Sequence, residues 1–92
     1  MSAYTQNKNK GGDYMKIYIV TSFDNEENTL QLFPFSTLEK AEKKQKELAE
    51  EFFETLKLKH DNANVEWHFG GAYVWNGEFY EYEIEIFEEE VE

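Results

Sequence analysis

From residue 15 onward the apolar positions fall into blocks of two distinct periods. Residues 15–23, "MKIYIVTSF", are β-branched and aromatic, with Met15, Ile17 and Ile19 on one parity and Lys16, Tyr18 and Val20 on the other. That predicts a strand with both faces at least partly covered. Residues 24–28, "DNEEN", have turn composition, and residues 29–35, "TLQLFPF", predict the returning strand. Pro34 has no N–H to give a ladder, so this second strand ends there or lies at a sheet edge.

The period then changes to 3.6. Leu38, Ala41, Gln45, Leu48, Phe52 and Leu56 recur every three or four residues, with Ala49 and Phe53 widening the stripe. An amphipathic helix of about twenty residues, one apolar face laid on a sheet, is the expectation. Ser36 followed by Glu39 matches a capping box at its start. The other face pairs Glu39 with Lys43 and Glu42 with Lys46 at i, i+4. Lys40, Lys43, Lys44 and Lys46 invite comparison with a phosphate-binding patch. Interleaved glutamates and the absence of arginine make it a solvated helix face.

Beyond the helix, Val65, Trp67, Phe69, Gly71, Tyr73 and Trp75 keep one parity, and Asn76-Gly77 supplies a hairpin signal of type I′. With a two-residue loop, Trp75 faces Glu78, Tyr73 faces Tyr80, Gly71 faces Tyr82, Phe69 faces Ile84 and Trp67 faces Ile86. In that register Gly71 lies under the ring of Tyr82. Glu81, Glu83 and Glu85 then share the opposite face with His68, Gly70, Ala72, Val74, Phe79 and Phe87.

The predicted architecture is α+β: a two-layer ββαββ domain over residues 15–92, with an antiparallel sheet of about four strands and one helix on one face. One helix covers one side only. The other side should show Tyr18, Val74, Phe79 and Phe87 around a row of glutamates, a mixed surface suited to a partner or to self-association. Alternate strand residues are about 6.8 Å apart, of the order of the repeat that phosphates present along a nucleic-acid strand, which advance about 3.4 Å of axis each. Such a file of carboxylates can occupy a site built for DNA. The plainer reading is that glutamate suits exposed strand positions and charged edges resist aggregation.

Composition sharpens this picture. Twenty acidic residues oppose nine lysines, giving a net charge of −11, and beyond Lys59 the chain is acidic only. A field of that sign repels nucleic acid and membrane surfaces and attracts basic proteins; solubility alone would also account for it. An aromatic content of 17% separates the chain from disordered acidic sequences. The absence of cysteine removes disulfides, thiolate metal sites and thiol nucleophiles. No apolar run suits a signal peptide or a membrane span, and a cytoplasmic location is expected.

Residues 1–14 are polar and aperiodic and read as a flexible tail. Codons for residues 10–14 can spell AAAGGAGGTGATTAT directly before the ATG of Met15, which resembles a strong ribosome-binding site of low-GC Gram-positive bacteria. A native start at Met15 and an ordinary tail or expression remnant both stay open.

Nothing in the chain resembles catalytic machinery. Ser2, Ser22 and Ser36 lie in the tail, at a strand end and at a helix start, none beside a base. His68 near Glu83 or Glu85 is a surface pair without a spaced ligand motif such as HExxH. No glycine-rich phosphate loop occurs, and carboxylate pairs mean little without a cleft. The expectation is a non-enzyme without metal or cofactor.

The segment at residues 15–48, with its opening "MK-x-Y-x-V" strand and its "FST-x-EKAE" helix start, resembles the beginning of small uncharacterised domains of phages and Gram-positive mobile elements. The matching residues are structural ones. Small acidic phage proteins of this size include anti-CRISPR and other anti-defence inhibitors, some of them DNA mimics. The resemblance therefore implies an inhibitor that blocks the basic nucleic-acid site of a host protein, such as a CRISPR effector. Direct nucleic-acid and membrane binding are not expected. On this reading Glu81, Glu83, Glu85, Glu88, Glu89 and Glu90 carry the charge, and Tyr18, Phe79 and Phe87 are apolar anchors. The rival expectation is a self-associating module whose exposed aromatics form a homodimer, the acid serving solubility.

Overall fold

The computed structural model describes residues 15–91; the expected tail at residues 1–14 lies outside them. Five strands and one helix follow in the order β1 (Met15–Asp24), β2 (Thr29–Phe35), α1 (Leu38–Lys57), β3 (Asn64–His68), β4 (Gly71–Trp75) and β5 (Tyr80–Val91). The sheet is antiparallel throughout, in the order β2-β1-β5-β4-β3. The class is α+β with one helix, as expected, but the sheet has five strands where about four were expected.

The fifth strand arises at Gly70, whose φ of 77° turns the chain. Residues 65–75 are thus two antiparallel strands joined at Phe69-Gly70, with His68 opposite Gly71 and Trp67 opposite Ala72. A glycine takes that left-handed conformation without the Cβ clash other residues suffer. Pro34 lies on the edge strand β2, where its missing donor harms no ladder.

The helix spans twenty residues, but its start differs from the expected capping box. Thr37, not Ser36, is the N-cap, and its hydroxyl accepts from the Lys40 N–H at 3.2 Å. Ala41, Leu48, Ala49 and Leu56 pack on Val20, Ala72, Val74 and Ile84 of the sheet, with Phe52 and Phe53 at the margin. Gln45, buried with them, donates its side-chain amide to the Ile84 carbonyl at 2.9 Å. Phe52 stacks flat on Tyr82, centroids 4.1 Å apart.

That packing decides the register of the last hairpin. A two-residue type I′ bend at Asn76-Gly77 would place Tyr73 and Trp75 under the helix. Instead residues 76–79 form the loop, closed by the Asn76 N–H donating to the Phe79 carbonyl at 3.1 Å. Only Gly77 there has positive φ, at 101°. The Asn76 side-chain oxygen accepts from the Glu78 and Phe79 N–H groups at 2.8 and 3.0 Å, so the asparagine shapes the loop through its side chain. Trp75 then pairs with Tyr80 and Val74 with Tyr82, leaving Glu81 as the extra residue of a β-bulge. Small Ala72 and Val74 enter the fully buried layer, and the large rings of Tyr73 and Trp75 turn outward. The space already filled by Leu48, Leu56 and Ile84 accommodates a valine and an alanine; close-packed interiors leave no room for a tyrosine and a tryptophan as well.

Candidate functional site

Among the described residues, no helix lies over the sheet face away from α1. Reading across the ladders, one transverse row of that face runs Glu66, Tyr73, Glu83, Phe23, Leu30; the next runs His68, Gly71, Glu85, Thr21, Leu32. Phe87 with Ile19 and Pro34, then Glu89 with Ile17, continue it. The face thus has an acidic, aromatic half on β3, β4 and β5 and an apolar half on β1 and β2.

Glu66, Glu83 and Glu85 are each held by a neutral donor. The Tyr73 hydroxyl donates to Glu85 Oε2 at 2.7 Å, Asn25 Nδ2 to Glu83 Oε2 at 2.7 Å, and the Tyr80 hydroxyl to Glu66 Oε1 at 2.7 Å. His68 Nε2 lies 3.4 Å from Glu66 Oε1, so the histidine pairs with Glu66 and not with Glu83 or Glu85. The Tyr73 phenol is pushed up to about 12, first by its bond to Glu85, then by burial. The bond to Glu66 likewise raises Tyr80. Tyr73 covers Gly71: a Cβ built there would lie 2.6 Å from its hydroxyl oxygen. Its ring sits between those of His68 and Tyr80, centroids at 5.3 and 5.6 Å, and Trp75 meets Tyr80 edge-on at 5.2 Å. The aromatic expected over Gly71 was Tyr82, which lies instead under the helix against Phe52.

The nine expected site residues do not form one surface. Glu83, Glu85, Glu89 and Phe87 share the open face. Glu88 and Glu90 pair with Tyr18 and Lys16 and therefore point to the helix side, because parity alternates along a strand. Glu88 there forms an ion pair with Lys16 at 3.2 Å. Tyr18 packs against the core, not on the open face. Phe79 is exposed in the loop before β5, about 27 Å along the strand from Phe87, so the two rings do not anchor one partner patch together.

Glu81 departs furthest. It occupies the bulge, 5% exposed, with Asn76 Nδ2 donating to its Oε1 at 3.0 Å. Burial raises its carboxyl above the usual range, and a contact with Glu26 adds to the rise, against the lowering by Asn76. Asn25 fixes this corner: its N–H donates to the Glu81 carbonyl at 2.8 Å and its side chain to the Tyr80 carbonyl at 2.9 Å. Glu66, Tyr73, Tyr80 and Asn25 were not among the expected site residues. The signal available for the tyrosines was the pairing of small Ala72 and Val74 with large Tyr73 and Trp75 on opposite parities.

Among the described residues no three His, Asp or Glu side chains are grouped to hold a metal ion, and no helix is long and apolar enough to cross a membrane. No protein-family model, curated protein or solved structure matches this chain.

Proposed function

We propose that the protein is a non-enzymatic binding module that sets its open sheet face against a basic protein and occludes a nucleic-acid-binding surface there. The observation that carries this is the segregation of charge. Among the described residues, Lys16 lies on the helix side of the sheet, five lysines lie in α1 and Lys59 just beyond it. The open face carries Glu66, Glu83, Glu85 and Glu89 without a lysine. The partners of Glu66, Glu83 and Glu85 are hydroxyls, an amide and an imidazole, which fix these three carboxylates in place without a permanent opposite charge. Groups held before the partner arrives lose less freedom on binding. The resemblance of residues 15–48 to phage and mobile-element domains favours a host defence protein, such as a CRISPR effector, as the target, met in the bacterial cytoplasm. Glu83, Glu85 and Glu89, with Phe87, replace the longer file expected from the alternation alone.

The test is retention of a DNA-binding effector on the immobilised full chain, compared with a Glu83→Gln, Glu85→Gln, Glu89→Gln variant that keeps the fold by circular dichroism. Binding should fall steeply between about 0.1 and 0.5 M salt, and the variant should lose it. Equal retention by both proteins rejects the reading.

A second reading rests on the apolar half of the same face. Leu30 and Leu32 are 57% and 59% exposed and Phe87 48%, a patch that a second copy of the chain could cover. A homodimer at micromolar concentration in light scattering, abolished by Leu32→Glu, would support it.

A further inference from the structure

β5 outruns its neighbour. β4 begins only at Gly71, opposite Glu85, and the last bond across is the Ile86 N–H to the Gly70 carbonyl at 3.0 Å. From Phe87 to Val91, β5 pairs with β1 alone. Because Ile86 directs its N–H toward β4, alternation directs the N–H and C=O of Glu88 and Glu90 to the same side, where among the described residues no strand follows. Beside this vacant edge, on the helix side of the sheet, opens a groove of about 450 Å³ lined by Tyr18, Leu38, Glu42, Phe69, Ile86 and Glu88. Phe69, at the β3–β4 turn, is fully exposed.

We propose that this edge and groove form a slot for an extended basic segment of a partner protein, which adds as a strand in the line that β4 vacates. An unpaired strand edge supplies ready main-chain donors and acceptors, and pockets beside it select side chains. Charge selects the occupant. Glu88, Glu89 and Glu90 flank the edge, so a second copy would set these carboxylates against their own images, which disfavours self-pairing. A strand of alternating lysine or arginine and apolar residues meets the opposite condition. The residue it places across from Glu88 points into the groove, between the Glu42 and Glu88 carboxylates and near the Tyr18 and Phe69 rings, a setting that suits a cation. In the free protein Lys16 takes part of that role toward Glu88. The slot lies on the opposite side of the sheet from Glu83 and Glu85 and rests on the reading above only for the sign of the partner's charge.

The experiment uses the full chain, isotopically labelled, titrated with the peptide acetyl-Lys-Val-Lys-Val-Lys-Val-amide and, separately, with a peptide of equal charge in which proline replaces each valine. The first should slow amide hydrogen exchange at Glu88 and Glu90 by about tenfold or more, and the proline peptide should not. Glu90→Pro, which removes an N–H directed at the vacancy and none from the β1 ladder, should bind the valine peptide more weakly than Glu90→Gln. A Glu83→Gln, Glu85→Gln variant, altered only on the opposite side of the sheet, should still protect Glu88 and Glu90, so the slot and the open-face reading are judged separately. No binding of the valine peptide, or equal binding of both peptides without protection at Glu88 and Glu90, would overturn the slot.

Discussion

Replacing Glu81 by glutamine should make the protein more stable at neutral pH. The carboxylate is 5% exposed, one of its oxygens accepts from Asn76 at 3.0 Å, and Glu26 and Asp24 oppose its charge. A buried charge short of donors costs about 1–3 kcal/mol. Glutamine retains the size and the acceptor for Asn76, and its amide can donate to Glu26. It loses the charge-assisted character of the Asn76 bond, which offsets the gain by about 1 kcal/mol. The net gain is on the order of 1 kcal/mol, or about 4–8 °C in Tm for a domain of this size. The pH dependence has a definite sign. A carboxyl raised on folding favours the folded state when protonated, so its contribution is complete below the unfolded value and is lost as pH rises through the folded one. Urea midpoints of wild type and Glu81→Gln should therefore converge near about pH 3.5 and separate by about pH 7, wild type being the weaker. The exposed Glu89→Gln serves as control, with an effect within about 0.5 kcal/mol. A Glu81→Gln protein no more stable than wild type at neutral pH, or equally stabilised at both pH values, would refute the account of the bulge.

Three further outcomes follow from the packing and the tyrosine network. Ile84→Ala, at a fully buried position beneath α1, should lower the unfolding free energy by about 2–5 kcal/mol in urea titration. Gly71→Ala should cost about 1–3 kcal/mol because the new methyl meets the Tyr73 ring at 2.9 Å and its hydroxyl at 2.6 Å. Adding Tyr73→Ala should recover most of the clash, a non-additivity that thermal melts of the single and double variants will display. In alkaline titration at the tyrosinate absorbance, Tyr73→Phe should remove the phenol that ionises near 12, leaving the curve below about pH 10 unchanged. The stabilisation due to the protonated phenol is present below the unfolded value and disappears as pH approaches 12.

The first half of the fold was legible because each signal there has one reading. The apolar period of 3.6 gave α1, the β-branched runs gave β1 and β2, and Pro34 marked an edge. Residues 71–75 were different, since Ala72 and Val74 on one parity and Tyr73 and Trp75 on the other are all apolar or aromatic, and alternation alone cannot say which side is buried. The large rings look like core, yet the helix already contributes Phe52 and Phe53, and the remaining volume fits Ala72 and Val74. The Gly70-Gly71 pair was a turn signal outweighed by continuous parity. Asn76-Gly77 marked the right place with the wrong loop, because an asparagine side chain can cap two backbone N–H groups as readily as its own backbone can take positive φ. Of the expected site, Glu83, Glu85, Glu89 and Phe87 share one face. Glu81 left it because a bulge shifts parity, which no alternation pattern records.

Among the described residues the strand that comes last, β5, is the middle strand of the sheet. Its partner β1 is the first of the described residues, so the central seam joins segments some sixty or more residues apart, while β1–β2 and β3–β4 close locally. Assembly must therefore wait for β5 before two hairpins and a helix become one body. A protease or stop codon that removes β5 does not trim a margin: it divides the sheet into two ribbons, each too small to persist in water.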